Sequence, residues 1–135
     1  MIEKLDIREV NQFSPLALAF LGDAVYEQLV RERLVIEANM PAGKLHDMKI
    51  KRVCSTYQSN AVEILKENLT EEEHIIYKRG RNASGNNVPK SANACDYRRA
   101  TGLECLFGYL HLLGNKNRID ELFDVIWKME KVEEN

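Results

Sequence analysis

Phe20-Leu-Gly-Asp-Ala-Val-Tyr26 places a carboxylate inside an apolar segment, and this stretch decides the fold prediction. Hydrophobic side chains dominate from Leu16 to Val30, so we expect a helix in the middle of the fold. An aspartate in such surroundings costs free energy unless it is paired, hydrogen-bonded or bound to a metal. Gly22 lowers helix stability by roughly 1 kcal/mol relative to alanine, so its presence predicts the close approach of another backbone.

A second carboxylate, Glu104, lies in a similar apolar stretch, Gly102-Leu-Glu-Cys-Leu-Phe-Gly108. It is far from Asp23 in the sequence, so only the folded chain can bring the two acids together. Small residues share the predicted helix face of each acid and would let the helices approach closely: Ala19 beside Asp23, and Ala100, Thr101 and Gly108 beside Glu104. Mg²⁺ prefers oxygen ligands and usually keeps several waters, so two carboxylates are enough to hold it. We therefore predict a metal site where two helices cross.

A purely structural explanation of the same acids stays open. Each carboxylate could pair with an arginine at a helix boundary, and the available partners are Arg31, Arg98 and Arg99. Ion-pair networks of this kind also place acids within helices. Asp96 is a weaker ligand candidate and is better explained as a helix N-cap.

Length and composition predict one compact globular domain. The 135 residues suffice for a single core but not for two ordinary domains, and 44% of them are hydrophobic and 30% charged. No apolar run reaches the length of a membrane span, and the N-terminal residues contain no signal-peptide hydrophobic region, so we expect a cytoplasmic protein without a membrane partner. Cys54, Cys95 and Cys105 are widely spaced and support neither a disulfide framework nor a zinc knuckle.

Hydrophobic periodicity is helical along nearly the whole chain. We therefore expect an all-α single domain over residues 1–135, with about six helices and a frayed tail at about 130–135. Two helix starts carry local signals: Ser14-Pro15 fits an N-cap followed by proline, and Thr70-Glu-Glu-Glu73 fits a capping box. The predicted helices run approximately over 15–35, 44–54, 55–69, 71–80 and 96–113, with a last one from about 118.

Positive charge is concentrated between Lys78 and Arg99. That segment holds six cations and a single acid, a balance of +5, although the whole chain carries a net charge of −2. One dense basic segment in a mildly acidic protein indicates one place for a phosphate backbone. The residues that we assign to binding this nucleic-acid backbone are Lys78, Arg79, Arg81, Asn82, Lys90, Arg98 and Arg99.

The stretch from Arg81 to Cys95 is rich in glycine, asparagine and serine, and it is predicted to be a loop. Aromatic residues stand only at its edges, at Tyr77 and Tyr97, which disfavours a stacking platform for single strands. Contact with the backbone of a duplex fits this composition better. The alternative is an ordinary solvated loop between two helices.

The motifs resemble those of a known family. Leu18-Ala-Phe-Leu-Gly-Asp-Ala-Val25 resembles the signature helix of the ribonuclease III catalytic domain, and Gly102-Leu-Glu-Cys-Leu-Phe-Gly-Tyr-Leu110 is similar to its second acidic helix. Lys78-Arg-Gly-Arg-Asn-Ala83 and Tyr97-Arg-Arg-Ala-Thr-Gly-Leu-Glu104 are closer still to the mini-ribonuclease III family, the short bacterial relatives without a double-stranded-RNA-binding domain. The resemblance implies a helical bundle of the ribonuclease III type.

The chain departs from the larger family pattern at four positions. Further acids of that pattern are replaced here by Leu16, Ala19, Ala42 and Thr101. Of the family's acids, only Asp23 and Glu104 carry over. The resemblance therefore leaves the number of metal ions open, while activity is still expected because the mini branch is similarly thinned.

By this resemblance the chain is expected to be a homodimeric endoribonuclease that cuts double-stranded RNA. Asp23 and Glu104 would be the catalytic residues and the ligands of Mg²⁺, for which Mn²⁺ can substitute. The implied role is processing the ends of the large-subunit ribosomal RNA precursor in the cytoplasm, with a ribosomal protein presenting the substrate. No separate RNA-binding domain is expected. The alternative is a non-catalytic module of the same fold that binds RNA or the ribosome.

Overall fold

The computed structural model describes residues 3–85 and 87–129, and within these ranges all regular secondary structure is helical. The predicted all-α fold is therefore confirmed, whereas the predicted tail at 130–135 lies outside the described residues. One turn of 3-10 helix occurs at Lys66–Asn68. The α-helices are α1 (Ile7–Val10), α2 (Pro15–Glu37), α3 (Ala42–Val53), α4 (Ser55–Leu65), α5 (Glu71–Ala83), α6 (Ala94–Leu112) and α7 (Lys116–Trp127).

Local capping starts the two helices whose beginnings were predicted. The Ser14 hydroxyl accepts a hydrogen bond from the backbone N–H of Ala17, and Pro15 occupies the first helical position of α2. At the start of α5, the Thr70 and Glu73 side chains each accept a hydrogen bond from the other residue's backbone N–H. Both devices satisfy backbone donors that have no partner within the helix.

Helix α5 is longer than the sequence predicts, because it continues to Ala83. Gly80 looked like a helix end, but a Cβ at this position would lie 2.4 Å from the Cβ of Cys105 in α6. The glycine therefore permits close packing of α5 on α6 and does not end the helix. As a result, Arg81 and Asn82 are helical residues and not part of a loop.

Other boundaries also differ from prediction. Asn93 caps α6 by accepting a hydrogen bond from the N–H of Asp96, so Asp96 is not the N-cap. Helix α4 ends at Leu65 and a turn of 3-10 helix follows it, so this helix is shorter than predicted. The short helix α1 was missed, because four residues are too few to show a periodic pattern; a capping box of Asp6 and Glu9 forms it.

Helix α6 is the centre of the fold, and α2, α4, α5 and α7 pack around it. Residues Ala100–Leu103 and Cys105–Leu110 of α6 are all buried. A helix that is apolar on every side belongs in the interior. This part of α6 has no polar face because other helices pack around it. Glu104 is the interruption in this buried stretch, and it is partly exposed.

Helix α2 buries only one side, which corrects the prediction that its apolar segment lies in the middle of the fold. Leu18, Gly22 and Tyr26 are buried at four-residue spacing against the rest of the protein. Asp23 is exposed, and Phe20 has 85% of its surface accessible. Within residues 3–85 and 87–129, no helix is both long and apolar enough to cross a membrane.

Candidate active site

Two glycines bring α2 and α6 into backbone contact. A Cβ on Gly22 would lie 1.6 Å from the carbonyl oxygen of Glu104, and a Cβ on Gly108 would lie 2.0 Å from that of Leu18. No side chain larger than hydrogen fits at either position without moving a helix. The predicted close approach of another backbone at Gly22 is confirmed, and it sets Asp23 beside Glu104.

The two carboxyl groups meet at this crossing. The Asp23 carboxyl lies within hydrogen-bonding reach of the Glu104 carboxyl. Asp23 faces solvent, whereas Glu104 is half-buried on α6. The pair is therefore open on one side to a ligand and supported on the other by the packed interior.

The three arginines that could have paired with Asp23 or Glu104 contact other groups instead. Arg31 pairs with Glu27 at 2.7 Å, and Arg99 pairs with Glu63, also at 2.7 Å. Arg98 donates a hydrogen bond of 2.6 Å to the carbonyl of Gly85. Among the described residues, no lysine, arginine or histidine nitrogen lies within 4.0 Å of either carboxylate of the site. The ion-pair explanation of these acids is wrong.

The environment disfavours charge on Glu104. Burial is the largest cause, and the neighbouring Asp23 carboxylate adds to it, so that the pKa of Glu104 is raised to about 8. A hydrogen bond from Gln58 acts in the opposite direction and does not compensate. Two adjacent carboxylates without a counter-ion attract a cation, and a bound cation would favour the charged form of Glu104.

Gln58 is a site residue that sequence reasoning missed. It lies on α4, is only 1% exposed, and donates from Nε2 to Glu104 Oε2 at 3.2 Å and to the carbonyl of Val53 at 3.0 Å. Nothing in the sequence near Gln58 distinguishes it from an ordinary helix residue. Its role depends on α4 packing against α6, which is a tertiary event.

A polar network fixes the corner between α3 and α4 behind the carboxylates. The Tyr26 hydroxyl donates a 2.8 Å hydrogen bond to the carbonyl of Arg52, and the Tyr26 ring packs edge-on against Phe107. Arg52 stacks on Trp127, with its guanidinium carbon 3.7 Å from the ring centroid. It also donates to the Tyr57 hydroxyl at 2.8 Å.

Further ligands of the usual kinds do not join the pair. In the part of the chain that the structure describes, no group of three or more histidine, cysteine, aspartate or glutamate side chains could hold a metal ion. The Thr101 hydroxyl, one turn before Glu104, donates to the carbonyl of Tyr97. The site thus consists of two carboxylates and one neutral amide.

The predicted RNA-binding residues lie on α5, the following connection and the start of α6. Lys78, Asn82 and Lys90 are exposed. Arg81 is half-buried, donates to the Asn82 side chain at 3.2 Å and lies over the Tyr77 ring at 5.8 Å. Arg79, Arg98 and Arg99 are also half-buried. The ion pair with Glu63 offsets the charge of Arg99.

Sequence comparison agrees with this geometry. The profile described as Ribonuclease III domain matches residues 16–115, a range that contains both carboxylates and the helices that cross there. The chain belongs to the ribonuclease III family. It is an endoribonuclease by this membership, and the resemblance noted in the sequence is confirmed.

Individual relatives support the assignment over nearly the whole chain. The mini-ribonuclease 3 of Enterococcus faecalis is 42% identical over 130 residues, covering 95% of this chain and 97% of the relative. That of Streptococcus pneumoniae is 39% identical over 127 residues, covering 93% and 98%. The crystal structure of protein FN1578 from Fusobacterium nucleatum superposes with a TM-score of 0.79 at 29% identity, covering 89% of this chain and 96% of that one.

Proposed function

We propose that this ribonuclease III-family protein is a Mg²⁺-dependent endoribonuclease for double-stranded RNA, with Asp23 and Glu104 as its catalytic residues. The observation that supports this most directly is the contact between the two carboxyl groups at the α2–α6 crossing, without a basic side chain to neutralise them. A protein that only bound RNA would gain nothing from two adjacent acids on a surface meant for phosphates.

The residues present fit a magnesium ion. Mg²⁺ is commonly held by one or two carboxylates and completes its shell with water and substrate oxygens, which matches a pair that is open to solvent on the Asp23 side. Asp23 and Glu104 would hold the ion, and Mn²⁺ is expected to substitute. When bound, the ion supplies Lewis-acid activation of water and stabilises the departing oxygen. The buried flank of Glu104 keeps that carboxylate in one place.

A duplex cleavage assay tests the proposal. We expect a perfectly paired RNA duplex to be cut in Mg²⁺ or Mn²⁺ and left intact in EDTA. Each separated strand and a DNA duplex of the same sequence serve as controls and should survive. Binding of the RNA duplex without any cutting, at every metal concentration tried, would instead identify the non-catalytic RNA-binding module.

We further propose that the physiological substrate is the precursor of the large-subunit ribosomal RNA. Support comes from the similarity to mini-ribonuclease 3 proteins over more than nine-tenths of the chain. A ribosomal protein that presents the paired ends, and a cytoplasmic location, belong to the same proposal. Precursor ends that mature at the same rate in a strain lacking this protein would refute it.

The basic part of α5 should supply sequence-independent contacts to the duplex. Replacing Arg79 and Arg81 together by alanine is expected to weaken duplex binding. The slope of log affinity against log salt concentration should also become shallower, by the amount expected for the loss of about two phosphate contacts. Filter binding across a salt series measures both quantities. Arg8→Ala combined with Lys116→Ala makes the same change in net charge at exposed positions of α1 and α7 and should have little effect. An unchanged salt slope in the α5 double mutant would make this segment a mere connector.

We infer that the protein acts as a two-fold homodimer that pairs through the outer face of α2. Phe20 is 85% exposed and Leu16 is 44% exposed, and both lie one turn or two before Asp23 on that face. Because these two side chains lie four residues apart on one helix, they form an adjacent apolar patch, and such patches mark interaction surfaces. A symmetric dimer would also set two carboxylate pairs along one duplex.

Phe20→Ser should convert the dimer to a monomer at micromolar concentration, because loss of a buried phenylalanine at an interface costs about 3 kcal/mol or more. Multi-angle light scattering reports the mass directly. Ile36→Ser is the matched control, since Ile36 is 79% exposed near the other end of the same helix. A wild-type protein that elutes as a stable monomer would contradict the dimer.

A further inference from the structure

Gln58 is a buried polar side chain beside the carboxylates, with only 1% of its surface exposed. Both protons of its amide nitrogen are used, one toward the carbonyl of Val53 at 3.0 Å and one toward Glu104 Oε2 at 3.2 Å. Because a carbonyl oxygen can only accept, Val53 requires that the nitrogen, not the oxygen, of the amide faces it. The orientation of the amide is therefore determined by its surroundings.

The remaining amide oxygen has no protein partner. Gln58 Oε1 is buried, and among the described residues no donor reaches it. A buried acceptor without a donor costs about 1–3 kcal/mol, so a purely structural role would be served better by an apolar side chain. The oxygen shares a carbon atom with the nitrogen that contacts Glu104, and so it belongs to the immediate surroundings of the carboxylate pair.

The corner that holds Gln58 is tied to α2 by a hydrogen bond. Val53 ends α3, and the adjacent carbonyl, that of Arg52, accepts a 2.8 Å hydrogen bond from Tyr26 of α2. Tyr26 lies one turn after Asp23 on the same helix. The anchor of Gln58 is thus tied to the helix that carries the other carboxylate, and any movement of α2 relative to α4 would strain this arrangement.

We propose that Gln58 is a positioning residue of the metal site, in which the hydrogen bond from Nε2 holds the Glu104 carboxylate in the orientation that the ion needs. This inference rests on the proposed function of Asp23 and Glu104. It explains why a neutral polar group is kept in a buried place despite its unpaired oxygen: the amide nitrogen joins one metal ligand to the end of α3. Groups that orient metal ligands in this way typically contribute 10- to 100-fold in metal affinity or activity.

The test is a Mn²⁺ titration of the full-length protein without RNA, followed by the electron paramagnetic resonance signal of free Mn²⁺. Gln58→Met and Gln58→Leu remove both hydrogen-bonding atoms at similar volume, and each should raise the dissociation constant by about 10- to 100-fold. Gln28→Met is the matched control. Gln28 is an exposed residue of α2 that bonds to Glu32, and its loss should leave Mn²⁺ affinity unchanged.

Kinetics separates positioning from a general loss of structure. In both Gln58 variants the Mg²⁺ concentration for half-maximal cleavage should rise by a similar factor, while KM for duplex RNA at saturating Mg²⁺ stays the same. An unchanged Mn²⁺ dissociation constant would overturn the proposal. So would variants that are unfolded at 25 °C in metal-free buffer, because Gln58 would then be a folding element alone.

Failure of the proposed function would give a different result. If wild-type protein binds no Mn²⁺, or if Asp23→Asn binds it as tightly as wild type, the carboxylate site itself is refuted. If wild type binds Mn²⁺, Asp23→Asn does not, and Gln58→Met matches wild type, only the role of Gln58 is refuted.

Discussion

Asp23→Asn or Glu104→Gln is expected to lower the rate of duplex cleavage by on the order of 10³-fold or more, since each change removes charge that a cation needs. Both substitutions preserve shape, so duplex binding through α5 should persist. The two carboxylates act as one unit, and the double mutant should therefore be little worse than either single mutant. Gel assays of cleavage, with filter binding on the same proteins, measure these effects.

Metal-free stability should distinguish these variants from ordinary loss of an ion pair. The pKa of Glu104 is raised from 4.5 to about 8 in the folded protein, mainly by burial and then by Asp23. The folded protein therefore holds a proton that the unfolded chain has released, and the free energy of unfolding should fall as pH rises through this interval. Glu104→Gln removes that slope and should be more stable than wild type at pH 8, by about 1–2 kcal/mol for a half-buried group.

Glu73→Gln is the matched control for a glutamate that is paired. Burial acts to raise the pKa of Glu73, but hydrogen bonds from Arg118 and Thr70 outweigh it and hold the pKa below its usual value. Arg118 donates two hydrogen bonds of 2.8 Å to this carboxylate. Glu73→Gln should therefore lower the free energy of unfolding by roughly 2 kcal/mol at neutral pH. Wild type itself loses this stabilisation as pH falls and Glu73 becomes protonated. Cleavage in Mg²⁺ should continue in the variant.

Thermal melts with and without Mg²⁺ complete the comparison. Added Mg²⁺ should raise the melting temperature of wild type and Glu73→Gln, and should have little effect on Asp23→Asn or Glu104→Gln. The catalytic assignment fails if either carboxylate variant melts markedly below wild type and still cuts RNA. Such a result would mean that the acids stabilise the fold and do not perform chemistry.

Among glycine-to-alanine substitutions in this protein, Gly22→Ala is expected to destabilise the fold most. The added Cβ would lie 1.6 Å from the Glu104 carbonyl oxygen. Both positions are backbone of packed helices, so the clash can be relieved only by moving α2 away from α6. Alanine gains about 1 kcal/mol in helix propensity, but separating α2 from α6 costs more, about 3 kcal/mol or above. Urea denaturation followed by circular dichroism gives the difference.

Gly43→Ala is the control of opposite sign. Gly43 lies in the first turn of α3, and nothing stands within 4 Å of a Cβ built there. Alanine should therefore stabilise the protein by up to about 1 kcal/mol through helix propensity and the unfolded chain. Equal stability of Gly22→Ala and wild type would show that the two helices do not cross as closely as described.

Local features of the sequence were sufficient to predict the class of fold and the order of its main helices. The caps at Ser14 and Thr70 form between residues at most three positions apart, so they depend on no other part of the chain. The combination of Gly22 and Asp23 in an apolar helix predicts that another helix crosses there and that the crossing carries a carboxylate. The sequence predicts these features because helix periodicity and capping depend only on residues a few positions apart.

Tertiary packing decided what those patterns mean. Gly80, which resembles a helix end, lies within α5 because Cys105 of α6 requires a residue without a Cβ there. Asp23 is exposed because only one side of α2 is covered by the rest of the protein. The bond from Gln58 to Glu104 joins residues 46 positions apart on different helices. Burial and long-range hydrogen bonds depend on which surfaces meet after the helices have formed. Periodicity alone therefore identified two carboxylates, and only the folded chain showed their contact, their open side and the amide that supports them.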